Sequence, residues 1–221
     1  MLSGYSEPSS WNDLVLAPYW LRDKFLYLIK REIKSVKEGG EGHIIAKMNS
    51  LCDAKIIAAL YEASAAGVKI DLIIRGICCL RVGIPGISEN ITVRSIVGNF
   101  LEHSRIFYFE NGGDYEVYMG SADWMPRNLD KRVEIVFPLL EDNIKKKALH
   151  ILEVELADTV KARVMKPDGE YVRVDKRGKE LINSQEQFVE EARAAVPKAV
   201  DESKGRIFIP AEKTVDTVKR L

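Results

Sequence analysis

The chain has 221 residues, a length that suits one full domain or one domain and part of another. It carries 33 Lys and Arg against 33 Asp and Glu, and this net charge of zero argues against a dedicated nucleic-acid binder, which needs excess positive charge. Apolar residues make up 46% of the chain, which is enough for a packed core, and no apolar run approaches the roughly 20 residues that cross a bilayer. The first residues lack a signal-peptide pattern, and the three cysteines, two of them adjacent, favour reduced thiols, so we expect a globular cytoplasmic protein.

The N-terminal half alternates predicted helices and strands. Apolar residues spaced by three and four predict a helix over residues 18–37, which a glycine-rich run ends. A buried strand is predicted at His43–Met48, a helix at 55–66 with Asp53 as its N-cap, and a second strand at 68–74. A strand, a helix and a strand within about 30 residues form a βαβ unit, which requires parallel strands joined by a right-handed crossover.

The remaining predicted elements are mostly strands. Strands are predicted at residues 91–97, 105–109, 116–119, 133–140, 161–165 and 171–174, and helices at 143–156 and 185–195. The run Asn-Gly-Gly-Asp at 111–114 predicts a hairpin between the second and third of these strands. Together the elements predict an α/β domain with a mixed, largely parallel sheet flanked by helices.

Arginines are concentrated between residues 75 and 134. Six of the seven cations there are arginines, whereas the rest of the chain has eight Arg and 18 Lys. A guanidinium grips two oxygens of a phosphate or carboxylate in a fixed geometry, so this region is a candidate oxyanion site; the alternative is that its arginines pair with nearby acidic residues. Arg75 is the most informative of them, because it follows a strand of the βαβ unit and ligands bind at the carboxyl ends of parallel strands. The arginines to which the sequence assigns no individual role are Arg81, Arg94, Arg127 and Arg132.

A second candidate group lies between residues 103 and 123. If the strand at 105–109 begins two residues early, His103 and Arg105 project from one face, and an imidazole beside a guanidinium suits a phosphoryl group. His43 and His150 fall in a predicted strand and helix and are interpreted as structural, and no group of side chains has the spacing of a metal site. The order His-x-Arg-x4-Glu, followed by Gly-Ser-x-Asp, is a degenerate form of the phospholipase D signature. Its members are His103, Arg105, Glu110, Ser121 and Asp123.

Several longer runs of residues complete the sequence evidence. They are KMNSL at 47–51, AAGVKI at 65–70, RGICCL at 75–80, GISENI at 86–91, LEH at 101–103, FENGGD at 109–114 and SADWMPRNLD at 121–130. These runs closely resemble the C-terminal part of bacterial polyphosphate kinases of the first family, over about residues 1–195.

The resemblance implies a fold and a domain division. The fold would be phospholipase D-like, with residues 39–195 as the last domain of the kinase. Residues 1–38 would be a linker and a helix from the preceding domain, and residues 196–221 a charged peripheral tail. The chain would then be one piece of a longer enzyme.

The resemblance also implies a reaction. The family transfers the γ-phosphate of ATP reversibly onto polyphosphate through a phosphohistidine, and both that histidine and the Mg²⁺ ligands lie upstream of anything present here. Arg75 and His103 match family positions that contact ATP, and His103 would be the second histidine, able to protonate the leaving group. Arg105, Glu110, Ser121 and Asp123 would support them.

The partners implied are ATP, ADP, polyphosphate and the other domains of the enzyme, with a homo-oligomer left open. Because the cavity would be completed by those domains, the isolated chain is expected to be inactive and to bind these anions weakly.

Two other functions remain open from the sequence. The first is a phospholipase D-like phosphodiesterase or nuclease that dimerises to complete its site, although Arg105 and Asp123 replace the Lys and Asn of that signature. The second is a non-catalytic interdomain or oligomerisation module that uses the helix at 18–37, whose apolar stripe needs either a partner or a core of its own.

Overall fold

The structure is a computed structural model that describes residues 13–195. Its strands are Val15–Ala17 (β1), His43–Met48 (β2), Lys69–Ile74 (β3), Ile91–Ser95 (β4), Arg105–Phe109 (β5), Glu116–Gly120 (β6), Glu134–Pro138 (β7), Arg163–Met165 (β8) and Tyr171–Arg173 (β9). Its helices are Leu21–Lys37 (α1), Ala54–Ala65 (α2), Pro126–Asp130 (α3), Asp142–Ala157 (α4) and Ser184–Ala195 (α5). Every predicted helix and strand is present, whereas β1 and α3 are too short to show a periodic pattern and were not predicted.

The strands of the described residues form one sheet in the order β1-β7-β6-β5-β2-β3-β4-β8-β9. The βαβ unit is confirmed, because α2 connects β2 to β3 and these two strands pair in parallel. β3 and β4 also pair in parallel, and the other six pairings are antiparallel. The mixed α/β class is thus confirmed, with a smaller parallel part than expected, because the short connections between β5, β6 and β7 join antiparallel neighbours.

Helices cover both faces of the sheet, as the side chains of β2 show. Ile44 and Ala46 point into an apolar cluster with α1 and α2, whereas Ile45 points into a second cluster with α4. Successive side chains of a strand face opposite sides, so β2 is buried on both. The strand that leads into the candidate site therefore has a fixed position.

α1 belongs to the core of this domain. Phe25 is fully buried, and its ring centroid lies 4.7 Å from that of Phe107 and 5.3 Å from that of Trp124. The apolar stripe of α1 packs against the same sheet as α2. The division at residue 38, which assigned this helix to a preceding domain, stays a prediction. Residues 1–12 and the predicted tail at 196–221 lie outside the described residues.

None of the helices within residues 13–195 combines the length and the apolar character that crossing a membrane requires. The thiols of Cys52, Cys78 and Cys79 are free of disulfide bonds.

Candidate oxyanion-binding site

The candidate site lies at the edge of the sheet where the parallel strands end. Asn49 follows β2 and Arg75 follows β3, so both lie at the carboxyl end of the parallel pair. β5 runs antiparallel to β2, and its first residue, Arg105, therefore lies beside the end of β2. The topology thus brings residues that are far apart in the sequence to one edge, as expected for ligand sites of such sheets.

A cavity of about 530 Å³ opens at this edge. The charged residues that line it are Arg75, Arg105, Arg127, Arg132, Asp123 and Glu134, and the sequence-predicted residues His103 and Ser121 line it too. Four arginines and two carboxylates give the lining a formal charge of +2 with the imidazole neutral. Excess positive charge in a concave site attracts anions.

Asp123 is the centre of the hydrogen-bond network in this cavity. It is 6% exposed, and its Oδ1 accepts a hydrogen bond from Nε of Arg105 at 3.1 Å, while Nη2 of Arg105 lies 3.3 Å from Oδ2. Oδ1 also accepts from the backbone N–H of Asn49 at 2.8 Å. A two-point contact of this kind fixes the guanidinium plane, so Arg105 is committed to Asp123.

Asn49 orients Arg75. The Oδ1 of Asn49 accepts hydrogen bonds from Nε and Nη2 of Arg75 at 3.1 and 2.8 Å. Because the partner is a neutral amide, Arg75 is held in place while keeping its full positive charge. Asn49 lies outside the phospholipase D-like motif and was not predicted as a site residue, and the signal that points to it is its position as a polar residue directly after a buried parallel strand.

Three of the cavity's arginines have no carboxylate partner in the described part of the chain. Within residues 13–195, Arg75, Arg127 and Arg132 form no ion pair. The alternative interpretation, in which the arginines of this region pair with nearby acidic residues, therefore holds for Arg105 and fails for these three. The remaining arginines of the region lie outside the cavity: Nη1 of Arg81 is 3.5 Å from the carbonyl oxygen of Pro167, and Arg94 donates to carbonyl groups at the end of α4.

Ser121 and Glu134, at the end of β6 and the start of β7, form a separate hydrogen-bonded group in the cavity lining. The Ser121 hydroxyl donates to Glu134, whose second oxygen accepts from Nδ2 of Asn128. Both oxygens of Glu134 thus accept from uncharged donors, and no arginine of residues 13–195 forms an ion pair with it. Gly120, the glycine of the Gly-Ser-x-Asp motif, lets β6 approach β7, since a Cβ there would lie 2.6 Å from Cγ2 of Val136.

His103 reaches the cavity from the segment that precedes β5. The strand begins at Arg105, so the expectation that both side chains project from one strand face is wrong; they nevertheless line the same cavity. Nη1 of Arg105 donates to the carbonyl oxygen of His103 at 2.7 Å, which ties the two residues together. The imidazole is exposed and faces the same cavity as Arg75.

The structure does not bring Glu110 to this site. Glu110 follows the far end of β5, about 17 Å from its start at the usual rise per residue, and its carboxylate accepts from the hydroxyl of Tyr108. His43 lies near that end as well, with Nε2 2.8 Å from Oδ2 of Asp71. His150 pairs with Glu191, in keeping with the structural interpretation of both histidines.

The cavity's carboxylates do not fit an Mg²⁺ site. Asp123 is engaged by Arg105 and Asn49, and Glu134 by Ser121 and Asn128. The described residues also contain no group of three His, Cys, Asp or Glu side chains placed to hold a metal ion.

Comparison with known proteins identifies the family. The family model described as polyphosphate kinase C-terminal domain 2 matches residues 14–185. The polyphosphate kinase of Lactiplantibacillus plantarum is 54% identical over 196 residues, which are 89% of this chain and 27% of the relative. That of Halalkalibacterium halodurans is 54% identical over 192 residues, with coverages of 86% and 27%. The crystal structure of polyphosphate kinase from Porphyromonas gingivalis matches 87% of this chain with a TM-score of 0.84 and 40% identity, and the match covers 30% of that protein.

The chain thus spans about a quarter of the length of the curated relatives that it matches. The family match begins before α1 and ends within the first turn of α5, so it includes the whole cavity and the helix that was expected to belong to another domain. The chain belongs to the polyphosphate kinase family, in which it corresponds to C-terminal domain 2.

Proposed function

We propose that this chain forms one wall of the phosphate-binding site of a polyphosphate kinase, which transfers the γ-phosphate of ATP reversibly onto polyphosphate. The observation that carries the proposal is the convergence on a single cavity of one exposed histidine and three arginines that have no carboxylate partner among residues 13–195. Family membership supports ATP and polyphosphate as the anions that this cavity meets.

Arg75 would grip phosphate oxygens. Its guanidinium is held by the Asn49 side chain, so little conformational freedom is lost when an anion binds. During transfer, negative charge builds up on the oxygens around the γ-phosphorus and on the leaving oxygen, and a fixed cation beside them lowers the energy of that state. Arg127 and Arg132, which line the same cavity, would add to the attraction.

His103 would act on the leaving oxygen. In the direction of polymer synthesis, the bond between the γ-phosphorus and its bridging oxygen breaks, and ADP leaves with the electron pair. The exposed imidazole can donate a hydrogen bond or a proton to that oxygen and take it back in the reverse reaction. It is the single histidine that lines the cavity among the described residues, so the attacking histidine would come from outside residues 13–195.

Arg105, Ser121 and Asp123 would support the site without binding substrate. The guanidinium of Arg105 is hydrogen-bonded to Asp123 and to the His103 carbonyl oxygen, so its role is to fix the positions of these residues in the cavity lining. Ser121 is hydrogen-bonded to Glu134 across β6 and β7.

The proposal is tested by two measurements. In the chain itself, NMR titration with tripolyphosphate should shift the signals of the Arg75 Nε–H and the His103 ring, and Arg75→Ala or His103→Ala should weaken binding about tenfold, as expected for loss of one charge-assisted contact. Arg81→Ala is the matched control, because Arg81 belongs to the same arginine-rich region but lies outside the cavity.

In a polyphosphate kinase whose matching segment is replaced by this chain, Arg75→Ala or His103→Ala should lower kcat by about 10²–10³. Wild-type binding and turnover in both variants would refute these roles.

The phosphodiesterase alternative is not favoured by the geometry. That chemistry needs two histidines facing one phosphorus, and among the described residues His43 and His150 are paired with acids elsewhere. A symmetric dimer would have to join two open cavities across a dyad. Robust hydrolysis of a chromogenic phosphodiester by the chain would reverse this preference.

A further inference from the structure

The segment that carries His103 lacks the usual anchors of a loop. Within the described residues, no backbone–backbone hydrogen bond links residues 97–104 to another part of the chain. Its apolar side chains do not anchor it either, since Val97, Phe100 and Leu101 are 68%, 59% and 66% exposed. A segment with neither backbone pairing nor apolar burial is expected to open easily, unless side chains from elsewhere hold it.

Gln185, in the first turn of α5, makes such a contact. Its Oε1 accepts a hydrogen bond from the N–H of Phe100 at 3.0 Å, and its Nε2 donates to the carbonyl oxygen of the same residue at 2.9 Å. One side-chain amide thus satisfies both backbone groups of Phe100, as a neighbouring strand would. Because Gln185 is only 5% exposed, water competes poorly for these bonds.

Glu102 extends the same contact toward β2. Its Oε1 accepts from Nε2 of Gln185 at 2.6 Å, and its Oε2 accepts from Nζ of Lys47 at 2.7 Å. Burial alone would raise the pKa of Glu102, but the hydrogen bonds from these two donors bring it below its usual value, so the carboxylate is charged. Lys47 lies two residues before Asn49, so Glu102 links the segment to the strand that ends at the cavity.

The local structure on both sides favours the contact between Gln185 and the segment at 97–104. At Gly98, an added Cβ would lie 2.8 Å from Cδ of Gln185 and closer still to Oε1, so a larger residue there would displace the Gln185 amide from its present position. Gln185 is itself fixed, because the preceding Ser184 donates from its N–H and its hydroxyl to Oδ2 of Asp158, both at 2.8 Å. Asp158 is 1% exposed and caps the turn that follows α4.

We propose that Gln185, together with Glu102 and Lys47, positions His103 for phosphate binding. His103 directly follows Glu102, so a fixed Phe100 backbone and a fixed Glu102 carboxylate set the direction from which the imidazole enters the cavity. Holding a group in its working orientation before the ligand arrives reduces the entropy lost on binding. This inference rests on the proposed function of His103, and none of the three residues lines the cavity.

The test compares two glutamines of the same helix. Gln185→Ala removes all three hydrogen bonds, whereas Gln187→Ala removes only a bond to Glu191 on the outer side of α5. We expect Gln185→Ala to weaken tripolyphosphate binding to the chain about tenfold and to broaden the His103 ring signals, because the imidazole then samples several orientations. Gln187→Ala should leave both unchanged. Equal affinity and an unchanged His103 spectrum in Gln185→Ala would overturn the inference.

A measurement on the unmodified chain keeps the inference testable if Gln185→Ala does not fold. The Phe100 amide should exchange slowly with solvent although its side chain is exposed, because Gln185 accepts its hydrogen. Gly98→Ala should abolish that protection while leaving the Gln185 amide in the chain. Rapid exchange of the Phe100 amide in the wild type would contradict the contact between Gln185 and the Phe100 backbone directly.

His103→Ala separates the two proposals. If it binds tripolyphosphate as tightly as the wild type, the proposed function of His103 fails and the positioning role falls with it. If it binds weakly while Gln185→Ala binds normally, His103 keeps its function and only the positioning role fails.

Discussion

Asn49 and Asp123 are joined through both the backbone and the side chain of the asparagine. The N–H of Asn49 donates to Oδ1 of Asp123 at 2.8 Å, and its Nδ2 donates to the same oxygen at 3.2 Å. One carboxylate therefore orients two arginines, Arg105 by direct contact and Arg75 through the Asn49 amide. It neutralises only Arg105. Arg75, at the carboxyl end of β3, is held in place but has no ion-pair partner in the part of the chain that the structure describes.

Asp123→Asn should destabilise the fold and loosen the site. The substitution removes the negative charge opposite Arg105, whose side chain is only 12% exposed, and leaves that cation without a carboxylate partner among the described residues. Breaking a largely buried ion pair from one side costs about 3 kcal/mol. Urea unfolding of the wild type and the variant measures the loss.

Asp175→Asn is the matched control for this prediction. Asp175 also pairs with an arginine, Arg177, but on the open surface. Exposed pairs contribute little, so its unfolding midpoint should not move. Equal losses of unfolding free energy in the two variants would mean that the pair of Asp123 with Arg105 stabilises the fold no more than an exposed ion pair does.

Asn49→Asp should weaken anion binding by neutralising Arg75. The new carboxylate would face the guanidinium at hydrogen-bond distance and would also repel Asp123. We expect the Kd for tripolyphosphate to rise about tenfold, because the cavity loses one unit of positive charge at its best-placed cation. Asn90→Asp adds the same charge far from the cavity, where Asn90 bonds to Ser64, and should leave the Kd unchanged. Unchanged binding in Asn49→Asp would contradict the role given to Arg75.

The placement of Arg75 and His103 on one cavity could be predicted from the sequence, whereas the network that holds them could not. Arg75 follows a strongly patterned strand of a βαβ unit, and the rule for the ends of parallel strands locates such a residue without knowledge of packing. Asn49 and Gln185 act through pairings between segments 26 and 85 residues apart, which depend on strand register and on how α5 docks.

Glu110 illustrates the opposite failure. The spacing of the motif suggested a supporting role, but five residues along a strand carry a side chain to the far edge of the sheet. A sequence signature does not show which of its residues lie at the same end of a strand. Here β5 separates His103 and Arg105 from Glu110, so the motif is divided between the two ends of that strand.

Glu155 should make the stability of the protein depend on pH. Burial raises its pKa to about 8, although Nζ of Lys47 lies 3.0 Å from its Oε1. The folded state therefore holds the proton more tightly than the unfolded state, so the stabilisation is complete below the ordinary pKa of 4.5 and is lost as pH rises through about 8. Between these values the unfolding free energy of the wild type should fall, relative to that of Glu155→Gln, by up to about 1.4 kcal/mol per pH unit.

Urea unfolding at about pH 5, 6.5 and 8 tests this dependence. The variant keeps a neutral side chain of the same shape beside Lys47, so the other titrating groups are common to both proteins. Glu153→Gln, on the exposed side of the same helix, should run parallel to the wild type at every pH. A constant difference between the wild type and Glu155→Gln across the series would show that Glu155 is charged in the folded protein.

Gly120→Ala should cost more stability than Gly76→Ala, although both glycines flank the cavity. A Cβ on Gly120 would lie 2.6 Å from Cγ2 of Val136 and closer still to the carbonyl oxygen of Ile135, so β6 and β7 would have to separate. At Gly76 the Cβ would stop 3.0 Å from the carbonyl oxygen of Asn49, a contact that a small shift relieves. Overpacking of the first kind costs about 1–3 kcal/mol, and it would also displace Ser121, whose hydroxyl bonds Glu134 across the same two strands. Urea unfolding should therefore rank the proteins as wild type, Gly76→Ala and Gly120→Ala in decreasing stability. If Gly76→Ala is the less stable variant, β7 accommodates an added methyl group more easily than the end of β2 does, and close packing of β6 on β7 is not what requires glycine at position 120.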